Sequence, residues 1–448
     1  MSSDAVLWTY ALAPDVTVDQ ASGGPVLVTP TSVTRIEPGE LELLPLLSGS
    51  GSSEVQLHDR LRLIQDDDDR EGRCAALLFR LDRVGLLARG LWSEGRPLAW
   101  CVPLRPPSAG PPIRPPEGLL RFSPRAFARR AGKVISLEAP AAWARMEIHD
   151  RDLLPLLHDL AIGMPAAAMA TAAAGYSEDA ILAILTMMSW CELFDASDDG
   201  WSAHDLLFHA RTRRGYTRAR LGKTHRSAES TPQPEAATAA GAPRITLEPP
   251  DPARLAAADP PFAWVSERRR SIRRYGPDSL RSSQVSEFLF RTLHQRAGRR
   301  PYPSGGSCYP LQCYLAVHLC RGIAPGLHVY DPVRHELITV AEPGPALDEL
   351  LADAAAAADI TDVPQILLVL AARYARTERV YADLSYSLIL KEVGAVFQAA
   401  MMAAAAMGLG ACPLGCGNSL LFANLVGVKP VDEVSVGELM IGSLEATT

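Results

Sequence analysis

Apolar positions along this 448-residue chain change period several times, and each change predicts an element. In the first half, Ala75 to Leu81 reads as a short helix leading into Val84-Gly85-Leu86-Leu87. A turn signal, Ser93-Glu94-Gly95-Arg96, precedes a strand-like run from Pro97 to Cys101. The outline returns further on. Asp179 to Trp190 has apolar residues at 181, 184, 185 and 188, the spacing of a helix face. It leads into Glu192-Leu193-Phe194 and a turn at Asp198-Asp199-Gly200. Helix followed by hairpin, twice, predicts two small winged-helix-like α/β units over 1–110 and 119–224.

The second half reads as α+β. Val285, Phe288, Leu289 and Leu293 fall on one helix face after Ser283. Cys313, Leu315, Val317 and Leu319 alternate with Tyr314, Ala316 and His318, the pattern of a half-buried strand. Gly326 to Tyr330 and Glu336 to Val340 flank Asp331-Pro332 as a hairpin. Ala346 to Ala358 reads as a helix, Gln365 to Ala371 as a buried strand, Leu388 to Met407 as a long apolar helix and Val434 to Ile441 as a last strand. The segment Leu388 to Gly410 is apolar, but it holds Lys391, Glu392 and Gln398, and its clean apolar part is shorter than the ~20 residues a membrane span needs. A buried core helix, not a span, is expected.

Two proline-rich stretches interrupt the pattern: Pro103 to Gly118, and 225–260, read as an interdomain linker because proline ends helices and central strands. The second folded domain is therefore expected over 261–448. A formal net charge of −7 argues against nucleic-acid binding and against an anionic membrane surface. No basic n-region followed by an apolar run opens the chain. Eight scattered cysteines fit a reduced, cytoplasmic protein. Neither Cys308 and Cys313 nor Cys412 and Cys416 has CxxC spacing, no second pair or His follows at zinc-ligand spacing, and His204 and His209 are five apart, so no metal site is expected.

Three stretches carry candidate chemistry. Glu267 to Arg274 holds five arginines in seven positions, which suits either a bound phosphate or a solvated charged patch. Pro303-Ser304-Gly305-Gly306-Ser307-Cys308-Tyr309-Pro310 offers glycines for close backbone approach, or an ordinary tight turn. It lacks a nucleophile elbow. Gly408 to Gly417 follows a helix, whereas a dinucleotide-binding turn precedes one, so it is read as a helix C-terminal loop brought close to something flat.

Taken in order, Arg269-Arg270-Ser271-x-Arg273, PSGGSCYP, a long helix carrying Gln398 and GLGACPLGCG resemble the nitroreductase superfamily, and within it the SagB/ThcOx-type azoline peptide dehydrogenases. Arg373 to Arg376, Tyr381 to Tyr386, Leu390 to Gly394 and Trp201 to His209 also look like that subfamily. The resemblance implies a nitroreductase-like FMN-binding domain with a mixed sheet and a long core helix. It implies FMN held by Arg269, Arg270, Ser271 and Arg273 at the phosphate, with Ser304, Gly305, Gly306, Gln398, Leu414, Gly415 and Gly417 along the cofactor. It implies a homodimer, a modified precursor peptide as substrate, a cyclodehydratase partner, and oxidation of thiazoline or oxazoline to thiazole or oxazole. The subfamily pairs a lysine with a catalytic tyrosine. This chain has Val380-Tyr381, so Tyr381 is present and the lysine is not. The readings to be separated from this one are an NAD(P)H-dependent nitro or quinone reductase and a non-catalytic scaffold.

Overall fold

The computed structural model describes residues 6–22, 24–64, 70–107, 114–172, 175–194, 199–218, 221–223 and 241–445. The chain forms two compact units, Met1–Leu221 and Gly222–Thr448.

The first unit is built on a seven-stranded sheet. Its strands are β1 (Leu7–Leu12), β2 (Ser52–Ser53), β3 (Leu87–Ser93), β4 (Arg96–Pro103), β5 (Phe127–Ala131), β6 (Val134–Glu138) and β7 (Ala144–Ile148), in the order β2-β1-β3-β4-β7-β6-β5. Residues on both sides of the expected 110/119 division share this sheet, because β4 pairs with β7 through Trp100 and Glu147. Helix-then-hairpin does occur where expected. Helix α1 (Arg70–Arg83) precedes β3 and β4, whose turn residues Glu94 (φ 51) and Gly95 (φ 74) are both left-handed, as a two-residue hairpin requires. Helix α2 (Glu178–Trp190) is capped by Ser177, which accepts from the Ala180 N–H, and buries Ile181, Ile184, Leu185 and Met188. No hairpin is described after it: Phe194 bridges to Phe122, and residues 195–198 of the expected turn lie outside the described residues.

The second unit has its own seven-stranded sheet: β8 (Arg244–Thr246), β9 (Leu311–Val317), β10 (Gly326–Asp331), β11 (Glu336–Ala341), β12 (Ile366–Ala372), β13 (Leu409–Pro413) and β14 (Val434–Ser443), ordered β8-β11-β10-β9-β12-β14-β13. Every pairing in it is antiparallel. The expected mixed sheet is corrected to that extent, and among the described residues of this unit parallel pairing is confined to Leu280–Arg281 with Cys320–Arg321. Residue alternation reports which strands bury which faces, not which way they run.

Helices α3 (Phe262–Arg268), α4 (Ser282–Thr292), α5 (Pro345–Ala357), α6 (Tyr374–Tyr381), α7 (Ser385–Met407) and α8 (Ser419–Val426) complete the unit. Strand β9 is buried along its whole length, not half-buried. Cys313, Leu315 and Val317 join the core on the α4 and α7 side, while Tyr314 and Ala316 join a second core with α5 and α8. Covering both faces removes the polar side that alternation alone suggested.

Helix α7 supplies Ile389, Val393, Val396, Ala400, Met401 and Ala404 to the first core and ends at Gly408 in the left-handed region (φ 66, ψ 35). Residues 374–407 are long and apolar enough to cross a membrane by composition, yet 44% of the apolar window is buried inside the protein. Two elements fall inside the expected linker: β8 pairs with β11, and a short helix, Pro252–Ala258, starts on an Asp251 cap that accepts from the Ala253 N–H. Proline at a first helical turn is favourable, so the composition was compatible with structure. Residues 224–240 lie outside the described residues. The segment expected as a loop at 408–417 is corrected too, since Leu409–Pro413 is strand β13.

Candidate functional site

The residues singled out by sequence gather into two groups in the second unit. The first surrounds Ser304-Gly305-Gly306. Glu392, one turn into the buried part of α7, reaches this turn with one oxygen. Its Oε1 accepts from the Ser304 hydroxyl and from the Gly305 N–H, each at 2.9 Å. Ser304 Oγ in turn accepts from the Tyr309 N–H at 2.9 Å. The turn is tightly wound: Gly306 (φ 59), Ser307 (φ 56) and Tyr309 (φ 43) all lie in the left-handed region.

Tyr381, the last residue of α6, closes over the glycines. A Cβ on Gly306 would sit 3.2 Å from both Tyr381 Cε2 and its hydroxyl, and one on Gly305 would lie 3.5 Å from Cε2. A side chain at Gly306 would crowd the tyrosine by a few tenths of an ångström and sit at a left-handed φ of 59, so glycine suits this position. Burial, then the neighbouring Cys308 and Glu392, push the Tyr381 phenol up. The Cys308 thiol is pushed up by burial, partly offset by Arg379.

The second group lies along β13. The Arg269 N–H closes α3 on the Val265 carbonyl, and the Ile272 N–H then bonds to the Ala411 carbonyl, both at 2.9 Å. This pins 269–273 against the strand, with Arg270, Ser271 and Arg273 exposed and Arg269 half-buried. Burial raises the Cys412 thiol, and Arg273 and a hydrogen bond with Ser271 pull it down. A Cβ on Gly410 would stand 2.9 Å from Ile272 Cγ2, so the close approach depends on that glycine. Beyond β13, the Leu414 N–H bonds to the Glu438 carbonyl at 2.9 Å. A Cβ on Gly417 would fall 2.1 Å from the Glu438 carboxyl carbon. Leu414 is buried, Gly415 and Gly417 are exposed, and Gln398 is exposed on α7 away from the turn contacts. In the sheet, β12 and β14 stand between β9 and β13, a separation of about 14 Å at ~4.8 Å per strand.

Comparisons with known proteins fit this arrangement. The nitroreductase family model matches residues 267–443, and the model of the cyanobactin oxidase ThcOx matches residues 120–218. A protein of Methanocaldococcus jannaschii named as a nitroreductase is 33% identical over 154 residues, covering 33% of this chain and 75% of that protein. The chain belongs to the nitroreductase family. With a cyanobactin-oxidase-type region ahead of its nitroreductase region, it is a SagB/ThcOx-type member, and the family places it among oxidoreductases. Similar solved structures include a nitroreductase-named protein from Ralstonia eutropha (24% identity, 46% of this chain and 90% of that chain, TM-score 0.38). Another is the E. coli microcin synthetase McbBCD complex with truncated pro-MccB17 bound (20% identity, 40% and 72%, TM-score 0.35).

Two residues of this nitroreductase-family chain escaped sequence reasoning as site residues. Glu392 is 4% exposed, and its Oε2 is buried with no hydrogen-bond partner. Burial raises its carboxyl, with the Ser304 and Gly305 hydrogen bonds pulling the other way. A bare buried carboxylate oxygen costs several kcal/mol, of order 1–3 or more, and a proton on Oε2 relieves it. Glu438, also buried, is raised by burial and packs on the Gly417 backbone. A lone acid in an apolar helix or strand was the available signal, since burial of Glu needs a partner or a proton.

Val380 stands where the subfamily has its lysine, and Lys223 is close enough to pull down the Cys308 thiol that neighbours Tyr381. Lys391 is exposed and donates to Ser387 Oγ at 2.9 Å. His209 packs against Trp201 (5.5 Å) and Tyr216 (5.6 Å), while His204 is exposed beside Ser202.

Proposed function

We propose that this chain is an FMN-dependent dehydrogenase that converts thiazoline or oxazoline rings of a ribosomally made peptide into thiazole or oxazole. The observation that carries the reading is a cyanobactin-oxidase-type region and a nitroreductase region in one chain. The Gly415 backbone supports it: no protein atom comes within 4 Å of where a Cβ would stand there, so bare backbone faces open space in which a flat ring could lie. In this reading Arg269, Arg270, Ser271 and Arg273 hold the cofactor phosphate through charge-assisted hydrogen bonds. Ser304, Gly305, Gly306, Gln398, Leu414, Gly415 and Gly417 line the remainder.

Ring oxidation removes a proton from one carbon and a hydride from its neighbour. FMN supplies the hydride acceptor, which no side chain can be. Tyr381, as its phenolate, takes the proton at its phenolic oxygen, which lies close over Gly306. A phenol pushed up is mostly protonated near neutral pH, so the rate is expected to rise with pH into the alkaline range. The reading includes a homodimer, supported by Phe262, Trp264, Tyr386 and Leu390 left exposed on α3 and α7. It also includes a cyclodehydratase partner that makes the azoline.

The test is the visible spectrum of the purified chain, identification of the released chromophore, and an azoline-peptide assay of wild type against Tyr381→Phe. Bound FMN, with oxidation lost in the variant and flavin retained, is the expected result. Oxidation unchanged in Tyr381→Phe removes the tyrosine from the mechanism. Flavin reduced rapidly by NADPH without peptide turnover favours a small-molecule reductase. A protein that binds no FMN favours a scaffold, a role for which Val380 in place of the subfamily lysine speaks.

A further inference from the structure

The sheet of the first unit has two unlike faces. One carries Leu91, Ala99, Cys101, Met146 and Ile148, most of them beneath the core of α2. The other bears a small separate apolar cluster, Ala11, Ala88, Trp100 and Val102. Its register places Thr9, Gly90, Trp100 and Glu147 in one row across β1, β3, β4 and β7, with Ala11 and Ala88 paired beside them. Small residues at Ala11 and Ala88 hollow the face out. The hollow is a recess of about 290 Å³, walled by Trp92 and Trp100.

Both indoles are fixed. A Cβ on Gly90 would stand 2.6 Å from the Trp100 ring, so Trp100 lies flat across that glycine. Trp92 Nε1 donates to Thr9 Oγ1 at 3.0 Å. Rim polarity is supplied by β7 and the residue after it. Arg145 Nε and Nη2 both bond to Glu147 Oε1, at 3.1 and 2.7 Å, which leaves Oε2 to accept from another donor. His149, two residues on and so on the same face, lines the recess, and its ring makes no hydrogen bond among the described residues. Burial lowers His149, which keeps its ring neutral near pH 7 and able to accept. The volume sits at the small end of the roughly 300–1,000 Å³ of ligand pockets, room for one ring system.

We propose that this recess is a binding site for an aromatic side chain bearing an N–H or O–H donor, presented by the peptide substrate, with Trp92 and Trp100 sandwiching the ring and Glu147 and His149 receiving its donor. The substrate part of this statement rests on the function proposed above. The site would raise the local concentration of peptide and lower KM, leaving the chemical step in the second unit unaltered.

The experiment is calorimetric titration of the full chain with N-acetyl-tryptophanamide and with its indole-N-methyl analogue. One-to-one binding of the first, weakened about five- to tenfold by N-methylation and by His149→Ala, and lost in Trp92→Ala, is expected. His149 is exposed, so its variant folds even where Trp92→Ala does not. Equal binding of both probes, binding indifferent to His149→Ala, or no binding overturns the proposal. Saturable, variant-sensitive binding in a chain that never oxidises azolines upholds the recess and refutes the enzyme reading. Oxidation whose KM ignores aromatic residues in the peptide upholds the enzyme and refutes the recess as its anchor.

Discussion

Acidification is expected to destabilise the second unit through His335, with a magnitude that follows from its surroundings. His335 lies in the β10–β11 turn and is 3% exposed. Its Nδ1 is 2.7 Å from the Tyr330 hydroxyl and its Nε2 is 2.8 Å from Ser286 Oγ. Ser286 gives its single hydroxyl proton to the Glu248 carbonyl. It must therefore accept from His335, which sets the Nε2–H tautomer and leaves Nδ1 to accept from Tyr330. A neutral ring is fully satisfied. A second proton would be added beside the His294 ring, 4.9 Å away.

Burial, then His294, push His335 down to about 4, from an unfolded value near 6.5. Because the folded value is the lower one, the unfolded chain takes up the proton first as pH falls. Stability is intact above pH ~6.5, declines between 6.5 and 4, and levels off below. At ~1.36 kcal/mol per unit, the decline is about 3 kcal/mol. His294, also lowered by burial, adds to it with the same sign.

The assay is urea unfolding of the full chain at pH 7, 6, 5 and 4, with hydrogen exchange at β10 and β11 to assign the transition. His335→Gln is expected to be less stable at pH 7 yet to lose less on acidification. Parallel loss of stability in the two proteins would refute the reasoning.

Three further outcomes follow. Burial and Cys308 also raise Tyr381, so Glu392→Gln removes only one of the causes. The alkaline rise of peptide oxidation then moves part-way to lower pH, and an unmoved profile would disconnect the two residues. Gly410→Ala pushes a methyl to within 2.9 Å of Ile272, so flavin content of the purified chain falls while circular dichroism is retained; full flavin loading would show that 269–273 does not hold the cofactor. Gly417→Ala forces the buried Glu438 carboxyl aside and should cost ~1–3 kcal/mol, read as a lower unfolding midpoint in urea, and an unchanged midpoint would mean the loop moves freely.

Helices α4, α5 and α7 of the second unit and its hairpin were legible because each is a local pattern. Val285 to Leu293 is a helix face whatever surrounds it, and α4 spans Ser282–Thr292. The motif order around Arg269, Ser304 and Gly408 was legible because close backbone approach leaves glycines behind. What was misread depended on neighbours. Tyr314 looked polar-facing until α5 and α8 covered it, and Leu409–Pro413 looked like a loop until β14 paired with it. Pro252 looked like a linker residue until Asp251 capped a helix there.

The sequence by itself determined the local elements, the family and the residue types available for a cofactor, since all three reside in short-range spacing. Tertiary structure alone decided which of those residues meet. Glu392 and Ser304 are 88 positions apart and share a hydrogen bond only because α7 crosses beneath the glycine turn. Trp100 and Glu147 share a row because β4 and β7 pair across what reads as a domain boundary. Spacing along a chain carries no record of such contacts. They arise when burying apolar faces brings distant segments to one place, and the polar groups left there must then find partners or hold a proton.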